Sequence, residues 1–186
     1  MSDAAAFAAR RVPLPHGRTL VVRTVTPDDL DGLTALYEGL DPEARYRRFF
    51  NAFHPARAFY EGMTTVAERG GCELVAVVHD GTADDRGTIV AEAGFVHLPD
   101  GDGELAVTVA SGWRGWLGPY LVDALLTAAA AHGVPALEAD VLMINRPMLA
   151  VLRARGATVL DRPDGTYVRL LVGTGGPAPT ASASGP

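Results

Sequence analysis

Between Trp113 and Gly133 the chain reads Trp-Arg-Gly-Trp-Leu-Gly-Pro-Tyr and continues through an Ala/Leu-rich stretch to Ala-His-Gly, directly after the apolar segment 105–109. A strand that breaks into a Gly-bearing turn and then a helix aims several unpaired backbone N–H groups at one spot beside the sheet, together with the positive end of the helix dipole. Such a spot suits a phosphate. The same unit is also the ordinary connection of α/β proteins, where it need bind nothing, so the flanking residues decide its meaning.

The elements that position the turn can be read from pattern. Leu121, Val122, Leu125, Leu126 and Ala129 recur at helical spacing, Pro119 suits a first-turn position, and His132-Gly133 supplies a stop. A short apolar strand follows at 136–142, then Asn145-Arg146-Pro147-Met148, a helix from 147 to about 155, and Gly156-Ala157 leading into a strand at 158–160. In this order the stretch 104–156 resembles the core of the GNAT superfamily of N-acetyltransferases, whose pattern is strand, Gln/Arg-x-x-Gly-x-Gly/Ala, helix, strand, Asn, helix, Gly-Phe, strand. Upstream, 17–26 resembles the first strand of that family. Asp41-Pro42-Glu43-Ala44-Arg45-Tyr46-Arg47-Arg48-Phe49-Phe50 is similar to the Ser-x-Glu-Ser-Arg-Tyr-x-Arg-Phe segment of its bacterial protein-lysine acetyltransferase branch. Most of residues 17–172 is covered.

The turn departs from the family pattern. Arg114 stands at its first position, but Leu117 and Pro119 occupy the places of glycine and Gly/Ala; a one-residue deletion would align Gly118 with the last glycine instead. Glycine lets a pyrophosphate approach the backbone, whereas Pro119 removes one donor and Trp116 adds bulk. Each lost amide contact subtracts about 1 kcal/mol, which predicts weakened binding.

The resemblance implies acetyl-CoA as co-substrate, held by Arg114, Gly115, Trp116, Leu117, Gly118 and Tyr120 at the turn. Asn145 would touch its pantetheine arm, although Asn before Arg-Pro also reads as a helix N-cap. In the family a bulge in the fourth strand offers backbone N–H to the thioester carbonyl, which maps onto the stretch 107–110 with Val107, Thr108 and Val109. The acceptor would be a primary amine, a protein lysine or a small molecule. Such an amine has a pKa of about 10.4, so a general base helps at neutral pH. Glu104 is the first candidate, because many family members carry a glutamate in this strand; its place after Gly-Asp-Gly equally fits an exposed edge carboxylate. Glu92, between Ala91 and Ala93, is the second. The family often uses a tyrosine seven residues past the Asn as acid, and here that position is Leu152. Water or Tyr120 could replace it, and Tyr120 also reads as packing on the helix start. Trp113 and Trp116 read as rim or interface aromatics.

Composition bounds the alternatives. The chain has 186 residues, with 16 basic and 22 acidic side chains and a formal charge of -6, which fits one domain and argues against nucleic-acid binding. Arg45, Arg47, Arg48 and Arg57 form the one dense basic cluster, read as a solvated helix face rather than a binding patch. Cys72 is the sole cysteine, so no intrachain disulfide can form and a reducing, cytoplasmic setting is expected. No run of about 18 apolar residues indicates a membrane span. The five histidines lack metal-ligand spacing, and no metal site is expected.

The expected fold is α+β: a mixed, mostly antiparallel sheet of six to seven strands with helices on both faces. Residues 1–12 and the Gly/Pro/Ala/Ser tail 173–186 are expected to be disordered, leaving 13–172 as the folded unit. Strands are expected at 19–23, 73–79, 88–97, 104–109, 136–142, 158–161 and 166–171, and further helices at 26–39, from Asp41-Pro42 to Phe50, and at 56–67. Two functional readings stand: acetyl transfer to an amine, or a catalytically inactive scaffold that binds acyl-CoA weakly or serves as an interaction module. Homodimerisation rests on analogy to the fold alone.

Overall fold

The computed structural model describes residues 7–82, 86–163 and 165–175. The tail 176–186 and residues 1–6, both read from sequence as disordered, lie outside the described residues, as do parts of the turns around 84 and 164.

Among the described residues eight strands form one sheet: β1 (Arg10–Pro13), β2 (Thr19–Thr24), β3 (Cys72–His79), β4 (Thr88–His97), β5 (Gly103–Val109), β6 (Ala136–Leu142), β7 (Thr158–Asp161) and β8 (Tyr167–Gly173), in the order β1-β2-β3-β4-β5-β6-β8-β7. The helices are α1 (Leu30–Glu38), α2 (Pro42–Phe49), α3 (Arg57–Thr64), α4 (Leu117–Ala131) and α5 (Arg146–Arg153). All strand pairings are antiparallel except β5 with β6. The eighth strand is β1. It is a four-residue edge strand that pairs Arg10 with Val22 and Pro13 with Thr19, so the sheet starts before position 13. Too short and too polar for a period-two pattern to show, it ends on a proline, which an edge tolerates.

Two capping devices build the helical face. Asp29 takes two hydrogen bonds from Arg23, at 2.7 and 2.8 Å, and another from the Thr26 amide at 2.7 Å. Burial opposes ionisation of this carboxyl, but the donors from Arg23 and Thr26 outweigh it and hold Asp29 below its ordinary range. The first turn, Pro27–Asp29, is 3-10 and passes into α1. Asp41 likewise accepts from the Ala44 amide at 2.7 Å, with Pro42 in the first turn of α2.

Alternation along the central strands divides the interior in two. Leu74, Ala76, Ala91, Ala93, Phe95 and Leu105 face α4, whose Leu117, Leu121, Val122 and Leu125 are buried against them. Val75, Val77 and Ile89 face α1 and α3, where Leu33, Leu36, Tyr37, Tyr60 and Met63 pack. Val90 is one residue too many between the pairs Ala76–Ala91 and Val77–Ile89, a bulge in β4 that keeps both faces in phase.

Candidate active site

β5 and β6 pair only at Gly103–Leu137 and Glu104–Glu138, whereas β6 pairs with β8 along its whole length. Beyond Glu104 the two parallel strands therefore diverge, and a wedge opens in the sheet. Ala110 donates its amide to the Val90 carbonyl on β4 at 2.9 Å. By the period of two, the amides of Val107 and Val109 point the other way, toward the wedge. The register of β5 on β4 is unbroken from Val109 to Gly103. The bulge expected at 107–110 is thus absent, and divergence of the neighbour frees this backbone instead.

A cleft of about 640 Å³ occupies the wedge and runs across the sheet beneath α2 and α3. Glu104, Val107, Asn145 and Met148 line one end; Arg47, Phe49 and Glu73 line the other. Glu104 is exposed at the closed end of the wedge. Asn145 lines the cleft and also caps α5, accepting from the Met148 amide at 3.4 Å, so its two expected roles are compatible.

Glu92 lies deeper. It is 0% exposed and accepts a 2.7 Å hydrogen bond from the Tyr37 hydroxyl, which in turn receives one from Thr108 at 3.3 Å. Thr108 is therefore a buried partner of this network. The Arg48 guanidinium lies 3.8 Å from Glu92. Burial, reinforced by Glu92, drives the Tyr37 phenol well above its ordinary range, so it remains a donor. Glu73 was not singled out in the sequence. It is the second residue of β3 as Glu104 is of β5, but register sets it opposite Gly94 and one pleat from the Val75–Glu92–Thr108 row. Burial first, and then the Glu92 carboxylate, push the Glu73 carboxyl well above the ordinary carboxylate range. No signal within the sequence reveals this pair, because register creates it.

The arginine cluster is not a uniformly solvated face. Arg45 is buried, donating to the Tyr37 carbonyl at 2.9 Å and facing His54 Nδ1 at 3.1 Å. Arg48 serves the buried acids. Arg47 pairs with Glu43 at 2.6 Å, and Arg57 alone is largely exposed, pairing with Glu61 at 2.8 Å.

At the turn, Gly115 has φ +101°, a value that favours glycine and brings the chain into α4. The first helical hydrogen bond runs from Tyr120 to the Trp116 carbonyl, so the amides of Leu117 and Gly118 precede the ladder while Pro119 has none. Leu117 buries its side chain and Gly118 leaves its face open. Arg114 is bound at 2.6 Å to Asp41, the cap of α2. Trp116 is exposed, 6.5 Å from Trp113 and 6.3 Å from Tyr120 between ring centres. Tyr120 and Val109 pack against the α4-side core, and Leu152 is fully buried within it. Among the described residues, Asp100, Asp102 and Glu138 bring three carboxylates within 4.8 Å of one another, with no histidine among them. No helix there is long and apolar enough to cross a membrane.

The divergent parallel pair, the helix that follows it and the β7–β8 hairpin inserted beside β6 can be compared with known structures. The GNAT domain of S. lividans PAT superposes with TM-score 0.74 at 24% identity, over 89% of this chain and 96% of that one. The protein has the GNAT fold. A cAMP-binding acyltransferase from Mycobacterium smegmatis shares this GNAT fold at 26% identity and TM-score 0.56, over 90% of this chain but 47% of that one, so this chain spans about half its length. YncA, a putative acetyltransferase from Salmonella typhimurium in a structure with its cofactor acetyl-CoA, matches at TM-score 0.61 and 18% identity over 83% of this chain and 91% of that one. No protein-family model matches the sequence. The eight strands found exceed the six to seven expected of the GNAT fold by β1.

Proposed function

We propose that this GNAT-fold protein is an N-acetyltransferase that moves an acetyl group from acetyl-CoA to a primary amine, on a protein lysine or a small molecule. The observation that carries the reading is the wedge between β5 and β6, where the amide of Val107 borders a cleft that also holds a carboxylate, Glu104.

The donor set suits the co-substrate. The Leu117 and Gly118 amides at the start of α4 would receive a pyrophosphate, and Asn145 in the cleft wall an amide of the pantetheine arm. The S. typhimurium neighbour, whose structure contains acetyl-CoA, supports the same choice. At the wedge, the Val107 amide would donate to the thioester oxygen as negative charge develops there, which favours direct attack by the amine. Glu104 is the solvent-accessible base. Glu92 is enclosed, so it would act on the amine only through neighbouring groups.

A second reading, a scaffold that binds acyl-CoA weakly, is favoured by the turn. Arg114 is engaged by Asp41, and Pro119 takes away one amide. Calorimetry with acetyl-CoA, followed by thiol release in the presence of amines, separates the two. Binding tighter than about 100 μM, worth about 5.5 kcal/mol, together with amine-dependent thiol release supports the enzyme. Absence of heat up to millimolar acetyl-CoA refutes it and favours the scaffold.

A further inference from the structure

The far end of the cleft holds more ionisable chemistry than acetyl transfer from a single exposed base requires. Glu73 lines that end while only 8% exposed, and its Oε1 has no hydrogen-bond partner. Glu92 Oε2 and Arg48 Nε are buried without hydrogen-bond partners too, although Arg48 Nε lies 3.8 Å from Glu92 Oε1. Unpaired buried polar atoms of this kind are costly and mark either a polar ligand or water. Gly94 permits the arrangement. A Cβ there would overlap Glu73 Oε2 and come within 2.6 Å of its Cδ, so the carboxyl of a β3 residue lies over β4. Gly94 pairs with Ala106 on β5, a strand spacing of about 5 Å away. The Glu73 carboxyl thus sits one strand from the Ala106–Val107 backbone. Glu104 is one pleat, about 7 Å, along β5 from the same point.

We propose that the Glu73–Glu92 carboxyl pair is the seat of the acceptor's ammonium group, with Glu73 receiving the ammonium's proton at its unpartnered oxygen as the proton it already holds passes to Glu92. The inference rests on the acetyl-transfer reading and deepens it. Facing the pair are Tyr37 from α1, Arg48 from α2 and Thr108 from β5. Tyr37 and Arg48 stabilise the charge on Glu92, while Glu73 keeps the unpartnered oxygen. Like charges this close do not both ionise readily, so the resting pair carries one proton and one negative charge. The ammonium gives a proton to the pair, and the freed nitrogen lone pair forms the C–N bond to the thioester carbon. The C–S bond breaks, the thiolate leaves with its electron pair, and the second N–H proton passes to it as the amide forms. The pair then returns its extra proton to water. The sum is ammonium plus thioester giving amide, thiol and one proton.

The test compares Glu73→Gln, Glu104→Gln and Gly94→Ala with wild type. Each is assayed for kcat from about pH 6 to 10.5, spanning the amine pKa of about 10.4, with acetyl-CoA affinity measured by calorimetry. Expected is a loss of about 100-fold in kcat for Glu73→Gln at neutral pH. The loss should shrink to within about 3-fold where the amine is free without a base, with acetyl-CoA affinity unchanged. Gly94→Ala, which keeps both acids but displaces the Glu73 carboxyl, should show the same pH-dependent loss, and it decides alone if Glu73→Gln fails to bind acetyl-CoA. A Glu73→Gln loss that is constant with pH indicates a structural role and overturns the proposal. So does Glu73→Gln activity within about 3-fold of wild type beside a large loss in Glu104→Gln, which leaves acetyl transfer standing. A wild type that turns over no amine overturns both readings together.

Discussion

The same strands serve two interiors built on opposite rules. Toward α4, β3, β4 and β5 present Leu74, Ala76, Ala93, Phe95 and Leu105 to a helix whose inner face is Leu117, Leu121, Val122 and Leu125, with no buried charge among the described residues. Toward α1–α3 the same strands present Val75, Val77 and Ile89 beside the polar Glu73, Glu92 and Thr108, which Tyr37 and Arg48 meet. Transferring apolar surface out of water stabilises the first face at about 25 cal/mol per Å². The second buries carboxylates, whose desolvation is repaid only when every partner is present. A chain that keeps the costly arrangement on one side of a sheet whose other side shows the cheaper one marks the costly side as the candidate site.

The largest effect should come from disturbing the aliphatic side. Leu121 is 0% exposed in the middle of that face. Leu121→Ala should destabilise the fold by about 2–5 kcal/mol in urea denaturation, through lost burial plus the cavity left behind. Acetyl-CoA affinity per folded molecule should change little. A loss below about 1 kcal/mol would mean that the α4 side is not the stabilising one, and the contrast between the faces would fail.

On the polar side the sign reverses. The folded protein raises the proton affinity of Glu73, first by burial and then through Glu92. Between the ordinary carboxylate range, near 4.5, and the raised one, the folded state holds a proton that the unfolded chain has released. Raising the pH through that window therefore favours unfolding, by at most about 1.4 kcal/mol per pH unit. Glu73→Gln removes the titration, so its stability advantage over wild type should grow from acid toward neutral pH. Parallel stability curves for the two proteins would show that Glu73 does not hold a proton, removing the polar side's special character.

How much of this was legible in the chain differs between the two faces. The α4 face announces itself: Leu121, Val122 and Leu125 recur at helical spacing, and strands with alternating apolar residues bracket them. Thr26-Pro27 and Asp41-Pro42 marked helix starts because a cap is a local device, set by side chains within three residues of the amides they bind. The polar face is written in register instead. Glu92 between two alanines could have pointed outward or inward, and only the opposing Val75 and Thr108, with Tyr37 above, make it enclosed. Glu73 becomes its partner only because Gly94 has no side chain, a fact that needs the pairing of two strands. The helix around Arg45, Arg47 and Arg48 looked solvated because arginine usually is, until buried acids on distant strands and the carbonyl of Tyr37 supply it with partners. β1 escaped notice for the opposite reason: four edge residues bury too little to leave a pattern.

The smallest expected effect probes the border between the faces, where Arg114 from the turn reaches Asp41 at the head of α2. Both side chains remain more than a third exposed, at 35% and 39%, so the pair should contribute under about 1 kcal/mol to folding. The Asp41 carboxyl lies below its ordinary range chiefly because the Ala44 amide donates to it, and only next because of Arg114. Asparagine caps a helix as well as aspartate does. Asp41→Asn should therefore leave urea stability within about 1 kcal/mol of wild type while releasing the guanidinium. A released arginine can turn to a phosphate with two parallel donors, which lysine cannot match. Acetyl-CoA affinity should then tighten by a few-fold, about 2- to 5-fold for the gain of one exposed ionic contact, and the gain should vanish at high salt. Unchanged affinity would place Arg114 wholly in the service of α2 and leave the Leu117 and Gly118 amides as the anchor. Weakened affinity would mean that Asp41 holds the arginine in the orientation the ligand needs, reversing the competition proposed between carboxylate and phosphate.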